Sequence, residues 1–131
     1  MFKKVTLDSD LRLLTVPMDG VSTVTIVVMV DTGSNNESKD VSGISHFLEH
    51  MLFKGTEKRP RAKIIAEEID RLGGYQNAFT DHEYTGCHLK VRAEKFVEAL
   101  DIIADIFQRS LIDPAEVEKE RGAILQEYRM I

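Results

Sequence analysis

Residues 44–54 constrain the fold of this chain more than any other segment, because apolar side chains lie on nearly every side of a predicted helix. A helix of this kind is buried by its neighbours. One arc of it is polar. At about 100° per residue, His46 and His50 lie within about 40° of each other, and Glu49 lies about 60° to the side of His46. Burial of three ionisable groups costs free energy unless they have partners, so the fold must supply something that meets this arc.

The spacing of the two histidines predicts a metal site. Two imidazoles one helical turn apart can bind one small cation, and neutral imidazole is a favoured zinc ligand. Glu49 is offset from both histidines, where it can hold a metal-bound water and accept its proton. The alternative interpretation is a pair of core histidines that are hydrogen-bonded to a carboxylate.

The last helical segment offers carboxylates for a third ligand. It begins with a clear start signal, in which Asp113 is the cap and Pro114 occupies the first helical position. Glu120 and Glu127 lie about 20° apart at the edge of its apolar stripe, and they are about 10 Å apart along the axis, so both cannot bind one ion. Spacing alone does not choose between them. For Glu120, a structural ion pair with Arg121 is a further alternative.

Extended segments precede and separate the helices. Residues 5–7 and 11–16 are short β-type runs around a three-residue turn, which predicts a hairpin. Residues 21–30 are rich in β-branched side chains, and their even positions form one apolar face. We therefore expect a strand near the middle of a sheet that is covered on one side. Residues 75–91 are a second extended stretch with a turn near Asp81.

Two amphipathic helices complete the pattern. The first covers residues 60–72 and ends at Gly73, and Gly55 is the expected C-terminal cap of the motif helix. The second covers residues 94–107 and carries apolar residues at helical spacing: Phe96, Val97, Leu100, Ile103 and Phe107. These elements predict one α+β domain over residues 1–131, in which an antiparallel or mixed sheet packs against helices as a two-layer sandwich.

Composition narrows the classes of function. Twenty-two acidic and seventeen basic residues give a formal net charge of −5, which disfavours nucleic acid or an anionic membrane as the main partner. The longest apolar run, residues 26–30, is far too short to span a bilayer. The single cysteine, Cys87, excludes an internal disulfide and fits a reducing compartment, so we expect a cytoplasmic protein. We expect Cys87 to be a small packing residue.

The sequence His46-Phe47-Leu48-Glu49-His50 stands within a longer recognisable pattern. That pattern includes Asp31-Thr32-Gly33-Ser34, Gly43-Ile44-Ser45, Met51-Leu52-Phe53-Lys54-Gly55-Thr56, Gly73-Gly74, Asn77-Ala78-Phe79-Thr80, Glu83-Tyr84-Thr85 and Glu118-Lys119-Glu120-Arg121. Together these segments resemble the inverzincins, the family of pitrilysin, insulin-degrading enzyme and mitochondrial processing peptidase. The resemblance covers almost the whole chain, and it is strongest to the small bacterial processing-peptidase branch.

The resemblance implies a zinc-dependent endopeptidase that hydrolyses peptide bonds through a zinc-bound water. It implies that His46, His50 and Glu127 bind one Zn²⁺, since Glu127 stands where the family has its third ligand. Glu49 would be the general base. Glu120 matches the additional active-site glutamate of the family, and we expect it to have a catalytic role.

The resemblance also implies partners. Asn77 and Ala78 match the edge strand that binds an extended peptide or unfolded protein substrate. The family is normally a clamshell of two related halves, whose second half or subunit helps to bind the substrate. The chain matches only the start of the first half, which implies the N-terminal portion of a peptidase domain. A last helix that reaches Ile131 without a stop signal is consistent with a chain that was cut.

Two rival functions remain open at this stage. One is a non-catalytic peptide-binding or regulatory subunit of a processing-peptidase-like assembly, although the family's partner subunits have lost the zinc motif that is intact here. The other is a structural zinc domain, which three evident ligands and an adjacent base disfavour.

Overall fold

The computed structural model describes residues 1–130, and it is a mixed structure of helices and antiparallel strands. The strands are β1 (Lys3–Thr6), β2 (Arg12–Thr15), β3 (Thr23–Val30), β4 (Tyr75–Thr80) and β5 (Thr85–Arg92). The helices are α1 (Ile44–Leu52), α2 (Ala62–Arg71), α3 (Phe96–Gln108) and α4 (Pro114–Tyr128). This architecture confirms the predicted α+β class. Among the described residues, no helix is long and apolar enough to cross a membrane. The expectation that the last helix reaches Ile131 concerns a residue outside the described range.

The five strands form two antiparallel sheets. β1 and β2 pair as the predicted hairpin, and Asp10 in its turn has a φ of 63°. The larger sheet has the order β3-β5-β4. The even-numbered residues Val24, Ile26 and Val28 of β3 pack against the core as predicted, whereas Val30, at the end of the same predicted face, is exposed. The predicted central position of this strand is wrong, since β3 is an edge strand of the sheet within the described residues. Periodicity reports which face of a strand is buried but does not report strand order.

The core lies between one face of the larger sheet and the helices. Its fully buried members come from β5, α1, α2 and α3: Leu52, Ile65, Ile69, Cys87, Leu89, Val91, Ala99, Ile102, Ile103 and Ile106. Burial raises the pKa of the Cys87 thiol to about 12, which agrees with a packing role. The expected apolar stripe of α3 is only partly correct, because Phe96, Val97 and Leu100 are exposed. α3 has two apolar arcs, and the arc that contains Ile102 and Ile106 packs on the sheet.

The two predicted glycine caps have different outcomes. Gly73 has a φ of 62°, and the N–H groups of Gly73 and Gly74 donate to the carbonyls of Asp70 and Ile69, which closes α2 as expected. Gly55 is not a left-handed cap, and α1 already ends at Leu52. A Cβ atom on Gly55 would lie 2.8 Å from a backbone oxygen of the following loop. Glycine is therefore required there for close approach of two backbone segments.

A group of five polar residues, which we call the Arg59 network, ties the loop after α1 to α2 and α3. Arg59 donates from Nε to Glu68 at 2.7 Å, from Nη2 to Asp101 at 2.9 Å and from Nη1 to Asp105 at 2.8 Å. The hydroxyl of Thr56 donates to the same Asp105 oxygen at 2.5 Å. Asp105 and Thr56 are fully buried. This network fixes the loop that follows α1 against α2 and α3.

Candidate metal centre

The first turn of α1 is fixed by a side chain from the preceding loop. Gly43, with a φ of 90°, is the N-terminal cap of the helix. Its N–H and that of Ser45 donate to the two carboxylate oxygens of Glu37, at 2.6 and 2.8 Å. These backbone hydrogen bonds hold the pKa of Glu37 below its ordinary value. The helix is therefore anchored one residue before His46.

The expectation that α1 is buried on all sides is only partly correct. Met51 and Leu52 are buried, whereas Ile44 and Leu48 remain about half exposed. Leu48 and Leu52 line an apolar cavity of about 400 Å³ on the face of α1 that the helices and sheet leave open. The face that carries the histidines packs against α4, so the two sides of α1 meet different surroundings.

Three donor atoms from α1 and α4 converge on one point. The Nε2 atoms of His46 and His50 lie 3.1 Å apart, and Oε2 of Glu127 lies 3.8 Å from the first and 3.9 Å from the second. Tetrahedral zinc with bonds of about 2.0–2.2 Å places its ligand atoms about 3.3–3.6 Å apart. The three donors are thus spaced to hold one small divalent cation, and their chemistry suits zinc.

Glu120 contacts Nδ1 of His50, the ring nitrogen that is not part of the donor cluster. His50 Nδ1 and Glu120 Oε2 are 3.0 Å apart, and the second oxygen of Glu120 pairs with the ammonium of Lys54. Burial alone would raise the pKa of Glu120, but hydrogen bonds from Lys54 and His50 hold it below its ordinary value. With its Nδ1 proton on Glu120, His50 presents the Nε2 lone pair to the other two donor atoms.

The alternative ion pair of Glu120 with Arg121 is wrong. Arg121 is exposed and pairs with Glu118 at 3.2 Å, one turn earlier on the same helix. The pairing was expected because Arg121 falls in an apolar stripe of α4. Among the described members of that stripe, which are Val117, Ile124, Leu125 and Tyr128, only Ile124 is buried. α4 packs on α1 through a face that Glu120 and Ile124 share.

Glu49 lies beside the cluster and is not one of its three members. Its Oε2 accepts a hydrogen bond of 2.5 Å from the hydroxyl of Thr80, the last residue of β4. The carboxylate is partly exposed, and its second oxygen receives no hydrogen bond from the described residues. Thr80 also lies in the wall of an open cleft of about 400 Å³, together with His46 and Glu127. Glu49 is therefore joined through Thr80 to the cleft that two members of the cluster line, and one of its oxygens receives no hydrogen bond from the described residues.

The two residues expected to bind substrate lie on the edge strand β4, which packs against α1. Asn77 pairs with His88 of β5, and Ala78 pairs with Cys87. The side-chain oxygen of Asn77 accepts a hydrogen bond of 3.0 Å from the N–H of Ala78. Within the described residues, the other edge of β4 pairs with no strand. Both residues are therefore on an open edge that runs toward Thr80.

A loop before α1 forms the far wall of the same cleft. The N–H of Ser34 donates to the carbonyl of Asp81 at 3.1 Å, and its hydroxyl lies 2.9 Å from Nδ1 of His82. A Cβ atom on Gly33 would lie 2.2 Å from the same carbonyl, so only glycine permits this approach. The loop is thereby attached to the turn between β4 and β5.

Sequence analysis did not identify Glu37, Lys54 or Thr80 as parts of the centre. Lys54 follows the end of α1 closely, and a cation at a helix C-terminus is a recognisable signal. Glu37 and Thr80 reach the centre across loops and between elements. No local sequence pattern indicates such contacts.

The fold and the donor cluster together define an α+β domain with a histidine- and carboxylate-based metal centre, and comparisons with known proteins specify it further. The sequence profile described as Insulinase (Peptidase family M16) matches residues 13–131. The chain belongs to this family of peptidases.

Two curated relatives have informative names. The uncharacterized zinc protease YmxG of Bacillus subtilis is 43% identical over 130 residues, which are 99% of this chain and 32% of the relative. The probable mitochondrial-processing peptidase subunit beta of Arabidopsis thaliana is 40% identical over 126 residues, which are 96% of this chain and 24% of the relative. The chain spans a third or less of the length of these proteins.

Two solved structures share the fold. A protease from Helicobacter pylori superposes with a TM-score of 0.94 at 27% identity, over 99% of this chain and 31% of that one. Pitrilysin superposes with a TM-score of 0.86 at 30% identity, over 99% of this chain and 14% of that one. The architecture described above is therefore that of a peptidase-family domain.

Proposed function

We propose that the protein is a zinc-dependent endopeptidase in which His46, His50 and Glu127 hold the metal. The observation that carries this proposal is the convergence of their three donor atoms, at 3.1, 3.8 and 3.9 Å from one another. The names of the zinc-protease relatives support the same metal. When bound, zinc polarises the scissile carbonyl and makes the attacking water more acidic.

Glu49 is the general base of the proposed reaction. Thr80 occupies Oε2 of this carboxylate, which leaves Oε1 to accept the proton of the attacking water. Glu49 then delivers that proton to the nitrogen of the leaving amine, so the carboxylate is regenerated. Thr80 orients the base throughout, since its hydroxyl is a donor that does not compete for the water.

Glu120 supports the reaction through His50. As acceptor for the Nδ1 proton, it orients the imidazole and raises the basicity of the opposite nitrogen. Its contact with the ring keeps it away from the cleft. We therefore place Glu120 in the active site as a residue that orients a metal ligand.

The substrate is an extended segment of a peptide or unfolded protein. The open edge of β4 offers the backbone N–H of Ala78, beside the Asn77 side chain, for strand addition, and it leads to Thr80 at the cleft. A peptide that pairs there brings its backbone past Glu49. To pair with it, the N–H of Ala78 must exchange its bond to Asn77 for one to the substrate.

The complete enzyme closes over its substrate with a second homologous half or subunit. The relatives named processing-peptidase subunit beta and the pitrilysin fold support this arrangement. Residues 1–131 would then be the N-terminal portion of the first half. Alone, this portion should bind zinc but scarcely cleave peptides, because positioning of the substrate contributes several kcal/mol to catalysis.

The proposal is tested by metal content and cleavage in one preparation of the full-length protein. We expect one zinc per site and cleavage of internally quenched peptides that a chelator removes and stoichiometric zinc restores. Zinc binding without cleavage of any peptide in a broad library would indicate a binding subunit and contradict the proposal. Failure to bind zinc at all would contradict the metal assignment itself.

A further inference from the structure

Lys54 occupies a position that the reaction proposed above does not use. It follows the last residue of α1 by two positions, and its backbone N–H donates to the carbonyl of Met51 at 3.1 Å. Its ammonium pairs with Oε1 of Glu120 on α4. The Lys54 side chain is 28% exposed and that of Glu120 only 11% exposed, so water screens this pair little.

The pair differs from the other ion pairs of α4. Lys119 pairs with Glu116 and Arg121 pairs with Glu118, each within one turn of the same helix and at the surface. Pairs of that kind contribute little. Lys54 instead joins α1 to α4, the two helices that carry the three metal donors. It does so through Glu120, whose other oxygen lies within hydrogen-bond distance of His50 Nδ1.

We propose that Lys54 is a positioning residue of the metal centre, which acts on His50 through Glu120. This inference rests on the proposed zinc site. The ammonium holds Oε1 of Glu120 so that Oε2 faces Nδ1 of His50, and the imidazole in turn directs Nε2 toward the metal. Without a cation, a carboxylate in this enclosed position has lost its compensating charge and turns toward solvent. His50 then loses the acceptor that selects its tautomer and orientation.

The same pair sets the separation of the two ligand helices. Glu120 and Glu127 are seven residues apart on α4, about two helical turns, and therefore lie on one face of it. Lys54 holds the first of these turns against the end of α1 and so presents the second to His46 and His50. An ion pair that stabilised the fold without positioning Glu120 or α4 at the metal donors would leave zinc affinity unchanged.

The test is zinc affinity of the full-length protein, measured by competition with a chromogenic chelator. Removal of an outer-shell partner costs about 10–100-fold in metal affinity. We expect Lys54→Met to weaken zinc binding about tenfold, whereas Lys54→Arg should stay close to the wild type. In a Glu120→Gln background, Lys54→Met should weaken binding no further. Lys63→Met is the matched control, because within the described residues Lys63 pairs only with exposed Glu67 on α2.

Cobalt substitution supplies a second readout that a structural role would not move. Lys54→Met and Glu120→Gln should shift the visible absorption of bound Co²⁺ in the same direction, and Lys63→Met should not. If Lys54→Met does not fold, Lys54→Gln replaces it with the same expectation. Wild-type zinc affinity in the Lys54 variant would overturn the inference. Equal losses with and without Glu120 would overturn it too, and absence of zinc from the wild type would instead refute the proposed function.

Discussion

The Arg59 network and the metal cluster are both built from carboxylates and nitrogen groups, yet they are arranged in opposite ways. In the network, every bond joins a donor to an acceptor, and the side chain of Arg59 is 8% exposed. In the cluster, Nε2 of His46, Nε2 of His50 and Oε2 of Glu127 face one another, and the three side chains are 37%, 22% and 46% exposed.

The difference separates a structural from a functional polar cluster. Within the described residues the network leaves one buried atom, Asp105 Oδ1, without a hydrogen bond. Its ion pairs join opposite charges, and such contacts stabilise the fold. Acceptor atoms brought together repel one another unless a cation lies between them. Changes in the network should therefore alter stability, whereas changes in the cluster should alter metal binding and activity.

The largest effect is expected from Arg59→Met. It removes the guanidinium at 2.8 Å from Asp105, a fully buried carboxylate, and leaves the more distant one of Arg109 at 3.7 Å; removal of one partner of a buried pair costs about 3–5 kcal/mol. Urea denaturation of the zinc-free protein measures the loss. Arg121→Met is the control, since its partner Glu118 is exposed, and it should cost no more than about 0.5 kcal/mol. A change in zinc affinity of the folded Arg59 variant would contradict the view that the network affects stability and not metal binding.

The next effect concerns turnover alone. Glu49→Gln should retain zinc and lose at least about a hundredfold in turnover, because the amide cannot accept the proton of the attacking water. Peptide cleavage by the zinc-loaded variant is the measurement. Glu67→Gln, at an exposed position of α2, is the matched control. Near-normal turnover with full zinc content would remove Glu49 from its assigned role.

A smaller difference is expected between the two carboxylates of α4. Glu127→Gln removes a donor atom from the cluster, and Glu120→Gln removes a group that only supports His50. Loss of a supporting group costs about 10–100-fold in metal affinity, and loss of a ligand should exceed this. A chelator titration of both variants ranks them. The reverse order would mean that the two assignments are interchanged.

The smallest effect is the pH dependence of the α1 cap. Because the pKa of Glu37 lies below its ordinary value of 4.5, the charged cap stabilises the fold above that pH. This stabilisation is lost as the pH falls through the lower folded value. Glu37→Gln should cost about 1 kcal/mol near neutral pH, and the difference from the wild type should shrink below pH 4.5. A difference that grows on acidification would contradict the direction of the pKa shift.

Local patterns in the sequence predicted much of this structure. The start of α4 at Asp113, the end of α2 at Gly73 and the arc shared by His46 and His50 all follow from spacing and cap chemistry. Strand order did not, and β3 is at an edge although its apolar face was predicted correctly. The position of a strand in its sheet depends on which elements the tertiary fold places beside it, and periodicity along the strand does not report this.

The choice between Glu120 and Glu127 shows where reasoning from a helical wheel ends. A wheel gives the angle of a residue about one axis, and these two differ by only about 20°. Their roles depend on which turn of α4 lies opposite the histidines of α1. Tertiary contacts, such as the pair of Lys54 with Glu120, determine this alignment of the two helices. The resemblance to a known family indicated Glu127, whose oxygen the structure places 3.8 and 3.9 Å from the two Nε2 atoms.

The distribution of the centre over two helices has a mechanical consequence. His46, Glu49 and His50 lie on one nine-residue helix, which is anchored at its start by Glu37, and so they move as a rigid body. Only Glu127 belongs to a separate body. The position of Glu127 relative to these residues then depends on one variable, the displacement of α4 relative to α1. Variation in this displacement would change how long a metal ion resides, while the distance between Glu49 and the two histidines stays constant. In the proposed endopeptidase, metal retention and proton transfer can therefore evolve independently.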